Sequence, residues 1–160
     1  MEFGRGKYFV LIGALIVLVG TGFVIFDKGR TAFSQSDEQN FRLDLNNIVN
    51  KSQALTKNYQ NEIGKWTTHQ INNATLISIT DSYIPKFEDL TNLARNISYP
   101  DELSPIYDAL VNSLASETDS YKHFRNYLAT GNKTEDDIST GLLTRALQNE
   151  LKYAEFLSKG

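Results

Sequence analysis

Nineteen consecutive residues without a charge, Tyr8 to Phe26 (YFVLIGALIVLVGTGFVIF), constrain this chain more than any other stretch. A helix rising about 1.5 Å per residue makes the run about 28 Å long, close to the roughly 30 Å hydrocarbon core of a bilayer. Thirteen of the nineteen are Val, Ile, Leu or Phe. Each favours insertion by about 0.3–0.6 kcal/mol, and Gly13, Gly20, Gly22 and Thr21 are mild costs against that sum. The expectation is a transmembrane anchor over 8–26, preceded by a short head, 1–7, and followed by a hinge, 27–33, that contains Gly29.

Two other uses of the run compete. Arg5 and Lys7 form a basic leader region, and Gly20 and Gly22 have the small-residue spacing of a signal-peptidase site. Cleavage there would leave Phe23, Val24, Ile25 and Phe26 at a new N-terminus, whereas a span buries them all. A pilin-like leader cut after Gly6 would place Lys7 first and finds no acidic residue in the run that follows. Within the anchor Gly6, Gly13 and Gly20 recur on one helix face, which suits close pairing of two spans and hence a homodimer. Basic residues flank the run on both sides, so orientation rests on the short head and long tail. These place the bulk of the chain outside the cytoplasm.

From Thr31 onward there are 12 Lys and Arg against 17 Asp and Glu, and the basic residues are interspersed with the acids. Nucleic acid is therefore excluded as a partner, because phosphate contacts need clustered cations. The chain has no cysteine, which removes disulfides, thiolate metal sites and covalent haem attachment.

Helical periodicity fills the rest. Phe41, Leu45, Ile48, Leu55, Tyr59, Ile63 and Trp66 stripe a first helix, about Ser34 to His69, with Ser34 and Asp37 spaced as a capping box. Leu76, Ile77, Tyr83, Ile84, Phe87, Leu90, Ala94 and Ile97 stripe a second, about Asn73 to Ile97. Pro85 interrupts that helix and predicts a kink near Asp81, or a restart after Ser82. Tyr99-Pro100-Asp101 is a turn. Ser104 followed by Pro105 predicts the cap of a third helix striped by Tyr107, Leu110, Leu114, Tyr121, Phe124 and Leu128 and stopped at Gly131. Thr134 and Asp137 predict a further capping box, and Ile138, Leu142, Ala146, Leu147, Tyr153, Ala154 and Leu157 the stripe of a fourth helix. The fold class is thus all-α: an N-terminal transmembrane helix followed by an antiparallel up-down four-helix bundle over 34–160.

No catalytic motif, metal-ligand set or cofactor loop is present in the sequence, so an enzyme is not expected. His69 and His123 lack the Glu-x-x-His spacing of carboxylate-bridged metal bundles. The acidic runs Asp101-Glu102 and Glu135-Asp136-Asp137 fall in first turns of predicted helices, where the helix dipole favours them. Two places are candidate ligand pockets: the Pro85 region, with Asp81, Ser82 and Tyr83, and the far end of the bundle, with Trp66, His69 and Tyr127. Asn50, Asn73, Asn96 and Asn132 head glycosylation triplets, usable on an exported surface.

The order of anchor, long helix, turn, helix, proline turn, helix and helix resembles the four-helix extracytoplasmic sensor modules of chemoreceptors and sensor kinases, in architecture alone. It departs from them in having no second span or cytoplasmic signalling part. The phrase Tyr99-Pro-Asp-Glu-Leu-Ser-Pro, followed by Leu110, Ser113, Glu117, Tyr121 and Gly131, is similar to uncharacterised prokaryotic (archaeal-type) single-pass membrane-anchored helical bundle proteins. The expected role is a non-enzymatic interaction or structural one in the cell envelope, with the lipid bilayer and another membrane protein as partners and no cofactor. A ligand-binding sensor accessory and a pilin-like subunit are the alternatives.

Overall fold

The computed structural model describes residues 35–159. The expected anchor, hinge, pairing glycines and Ser34 cap lie outside the described residues. Among the described residues no helix is long and apolar enough to cross a membrane. They form four helices and no strand: α1 (Gln35–Thr67), α2 (Asn73–Arg95), α3 (Ser104–Thr130) and α4 (Lys133–Lys159), with a 3-10 turn, Asp101–Leu103, before α3. Neighbours in sequence pack against one another, α3 and α4 most extensively.

Each reversal has an identifiable chemical stop. At the end of α1 the Gln70 N–H donates to Lys65 O at 2.8 Å and the His69 N–H to Trp66 O at 3.1 Å, while His69 has φ 61°. This is a Schellman ending with histidine in the left-handed position usually given to glycine. Asn72 starts α2, its Oδ1 accepting the Thr75 N–H at 2.9 Å. At the end of α3, Gly131 has φ 69° and donates to Tyr127 O at 2.8 Å.

A Cβ at Gly131 meets nothing within 4 Å, so Gly131→Ala carries only the left-handed backbone penalty. The expected loss is about 1 kcal/mol, read as a lower urea midpoint with an unchanged slope.

Three local expectations are corrected. Leu103, not Ser104, is the N-cap of α3 and makes no side-chain cap; Ser104 lies inside the helix and donates to Asp108 Oδ2 at 3.4 Å. The 3-10 turn hands the chain directly to α3, so a capping hydroxyl is not required. Asn132, not Thr134, caps α4, accepting the Thr134 N–H at 3.0 Å, and Asp137 instead takes the Lys133 ammonium at 2.9 Å. α2 also does not restart at Pro85: it runs unbroken from Asn73 to Arg95, with packing on both flanks of the proline outweighing the one lost backbone bond.

The core has two apolar clusters. One, toward the two short reversals, gathers Tyr59, Ile63, Trp66, Leu76, Phe87, Tyr121, Phe124, Leu128 and Leu143. The other, toward the Tyr99 turn, gathers Phe41, Leu45, Ile48, Leu90, Ala94, Ile97, Ile106, Ala109, Leu110 and Leu114. Trp66 Nε1 donates to Asn73 Oδ1 at 2.7 Å and Asn73 Nδ2 to Leu128 O at 3.4 Å, so the first reversal is tied to the end of α3. At the other end the Tyr99 and Tyr107 rings stack at 3.8 Å, and the Tyr107 hydroxyl donates to Arg95 O at 2.8 Å.

Candidate functional site

Polar side chains cross the bundle interior where the two apolar clusters meet. Glu117 sits in the α3 stripe Leu110, Leu114, Glu117, Tyr121, Phe124, Leu128, whose steps alternate four and three, so the helix points its carboxyl inward with the leucines and aromatics. It is 5% exposed. Glu117 Oε1 accepts from the Tyr121 hydroxyl at 2.7 Å and from Thr56 Oγ1, on α1, at 2.8 Å. Burial pushes the carboxyl above its usual range, and these two donors partly offset that shift.

Glu150 enters from α4. The buried stripe of that helix is Asp136, Ser139, Leu143 and Ala146, and Glu150 continues it by one further turn. Its Oε2 is buried without a hydrogen-bond partner among the described residues. Burial, then the like charge of Glu117, pushes the Glu150 carboxyl up to about 8. Two carboxyls so placed resist ionising together, and at neutral pH the protein holds a proton on Glu150.

Hydroxyls fill the rest of the layer. Tyr59 donates to Thr80 Oγ1 at 2.7 Å, because the Thr80 hydrogen is committed to Leu76 O at 2.7 Å. Thr91 and Thr118 meet at 3.1 Å across α2 and α3. Ser120 Oγ donates to Ser139 O at 2.9 Å, and Ser113 Oγ to Ala146 O at 3.0 Å. These small side chains let α3 and α4 approach closely. The layer thus sets two carboxyls, one of them pushed up to about 8, among hydroxyls that meet across the helix interfaces.

The residues singled out in the sequence fall elsewhere. Asp81 is clasped by Arg125, Nε to Oδ1 at 2.9 Å and Nη2 to Oδ2 at 3.2 Å. Ser82 Oγ turns back to Ile79 O at 2.7 Å. The Tyr83 ring lies 5.0 Å from the Tyr59 ring, with the Lys86 ammonium 4.7 Å from the Tyr83 ring centroid. Trp66 is buried edge-on to Phe124 at 5.7 Å, and Tyr127 stacks on Phe124 at 6.4 Å. His69 is exposed in its turn, while Trp66, Tyr83 and Tyr127 all belong to or pack on the same apolar cluster as Tyr59 and Phe124. His123 Nδ1 meets Glu135 Oε2 at 2.7 Å, which holds the Glu135 carboxyl below its usual range. Among the glycosylation asparagines, Asn50 is exposed, Asn96 Nδ2 donates to Asn92 O at 2.9 Å, and Asn73 and Asn132 serve the reversals described above.

Glu117 and Glu150 are the residues that the sequence reading missed as a pair. Glu117 carried a signal in its spacing, since it takes one step of the otherwise apolar α3 stripe; Glu150 carried none, because the inward stripe of α4 is itself half polar. No protein-family model, no curated protein and no solved structure matches this chain.

Proposed function

We propose that this chain is a membrane-tethered, non-enzymatic helical module of the cell envelope, with the bundle over 34–160 held outside the cytoplasm by the anchor over 8–26 and acting through contacts with another envelope protein. One observation carries the reading. A self-contained bundle follows a 19-residue uncharged apolar run, and its prominent ionisable side chains are engaged in holding helices together, as in the Asp81–Arg125 and His123–Glu135 pairs. Pairing of the anchors through Gly6, Gly13 and Gly20 belongs to the same proposal, as does glycosylation at Asn50 or Asn132. The four-helix, all-α fold is compatible with it.

Protease added to intact cells is expected to digest the bundle and to leave a protected fragment containing residues 8–26. Proximity labelling is expected to recover a constant membrane partner. Protection of the bundle in intact cells with digestion only after lysis, or a full chain that is monomeric in detergent and labels no partner, sinks the reading.

The sensor-accessory alternative is favoured by one specific feature, the Glu117–Glu150 pair, since a carboxyl that titrates at about 8 makes the bundle respond to the acidity around it.

A further inference from the structure

A second feature lies on the outer seam between α3 and α4, on the helix faces beside Glu117 and Glu150. There the two helices leave a cleft of about 470 Å³, within the range that holds metabolite-sized ligands. Its shape follows from the sequence. α3 contributes Ala115 and Ser116, side chains too short to fill the angle between the helices, and half-buried Leu142 of α4 lines it beside them.

Its chemistry comes from α4. Arg145, Gln148, Asn149 and Lys152 line the cleft, and steps of three, four and seven put them on one helix face. Asn112 lines it from α3. The two cations are separated by about 10 Å along the helix axis, and the amide side chains lie between them. Four cations elsewhere are paired with carboxylates across or along helices: Arg125 with Asp81, Lys122 with Glu88 and Asp119, Lys133 with Asp137, Lys65 with Glu62. Arg145 and Lys152 have no ion pair among the described residues, and the one acid lining the cleft, Asp119, is held by Lys122 at 3.1 Å. The cleft is therefore a local excess of positive charge and N–H donors on a body that is acidic overall.

We propose that the α3–α4 cleft binds a small molecule carrying a carboxylate or phosphate group, with the Arg145 guanidinium taking two of its oxygens side by side, Lys152 supplying the second charge and the Asn112, Gln148 and Asn149 amides bonding the remainder. The guanidinium fork matches either oxyanion. The volume fits a single small ligand, and the excess of acids over the rest of the body repels a long polyanion. This proposal is independent of the tethered-partner reading, because it concerns a different surface and a solute.

The test uses the full chain in phosphatidylcholine nanodiscs, followed by the amide NMR signals of Asn112, Ser116, Gln148 and Asn149. Inorganic phosphate and citrate are titrated separately, with chloride at matched ionic strength as control. Saturable shifts at these residues are expected with one or both probes, weakened at least tenfold in Arg145→Gln and lost in Arg145→Gln/Lys152→Gln. Both positions are exposed, so thermal midpoints of the variants should match the parent. Discs containing phosphatidylglycerol, without added phosphate, separate the sources: the same shifts there assign the oxyanion to a lipid headgroup, and their absence assigns it to a free solute. Shifts reproduced by chloride, or binding unchanged in the double variant, overturn the proposal.

Discussion

Tyr59→Ala is expected to lower the stability of the bundle by about 4 kcal/mol, in the range for deleting a large buried aromatic side chain. Tyr59 is 0% exposed, and its ring meets Tyr83 at 5.0 Å, Phe87 at 6.1 Å and Tyr121 at 4.7 Å. One side chain on α1 therefore touches both α2 and α3, and its removal opens a hole that no single neighbour can close. For a domain of this size the loss corresponds to a fall of roughly 15 °C in Tm. Tyr59→Phe isolates the hydroxyl. It removes the donor to Thr80 Oγ1, but Thr80 keeps its own bond to Leu76 O, so the expected cost is about 1 kcal/mol. A loss under about 2 kcal/mol for the alanine variant, by urea unfolding, would mean that the three helices do not converge on this ring.

The convergence was legible in the sequence because large apolar residues at steps of three and four leave a helix few other ways to bury them. Tyr59, Trp66, Leu76, Phe87, Tyr121 and Phe124 were all on predicted stripes and are all in the core. α4 was read less well. Its expected stripe placed Ala146 correctly, yet Ile138 is 39% exposed while Asp136, Ser139 and Leu143, off that stripe, are buried. Close packing against α3 is the reason. Where Ser113 and Ser120 bond the α4 backbone, the facing α4 positions are the small Ala146 and Ser139, and Leu143 between them is the large residue that reaches the core.

The candidate sites involve contacts between helices that one helix's periodicity does not show. Attention to histidines, the proline and the tip aromatics favoured residues rare in composition. Asp81 and His123 instead meet partners 44 and 12 residues away, pairings that periodicity along one helix cannot reveal. Glu117 and Glu150 look like ordinary surface charges until the register of α3 against α4 is known. The cleft is harder still to foresee, since it depends on what Ala115 and Ser116 fail to fill.

Stability is expected to fall as pH rises from about 4.5 toward 8, and Glu150→Gln is expected to remove most of that fall. Below the unfolded value of 4.5 the Glu150 carboxyl is protonated in both states and contributes no pH dependence. Between 4.5 and about 8 the unfolded chain has released the proton and the folded chain still holds it, so each step up in pH favours unfolding. Full linkage over that window would approach 5 kcal/mol, but Glu150 keeps some contact with water, and screening reduces the expected loss to about 2 kcal/mol. The glutamine variant should thus match the parent at pH 4 and exceed it by about 2 kcal/mol at pH 9 in urea unfolding. Glu135 acts in the opposite sense: its carboxyl is lowered by His123, so its contribution is present above the usual carboxylate range and is lost as pH falls through it. Together they place the stability maximum on the mildly acidic side of neutrality, and Glu117→Gln, which removes the like charge near Glu150, should end the fall at a lower pH and make it smaller. A parent protein as stable at pH 9 as at pH 5 would show that Glu150 reaches solvent freely, and the case for a proton-responsive core would go with it.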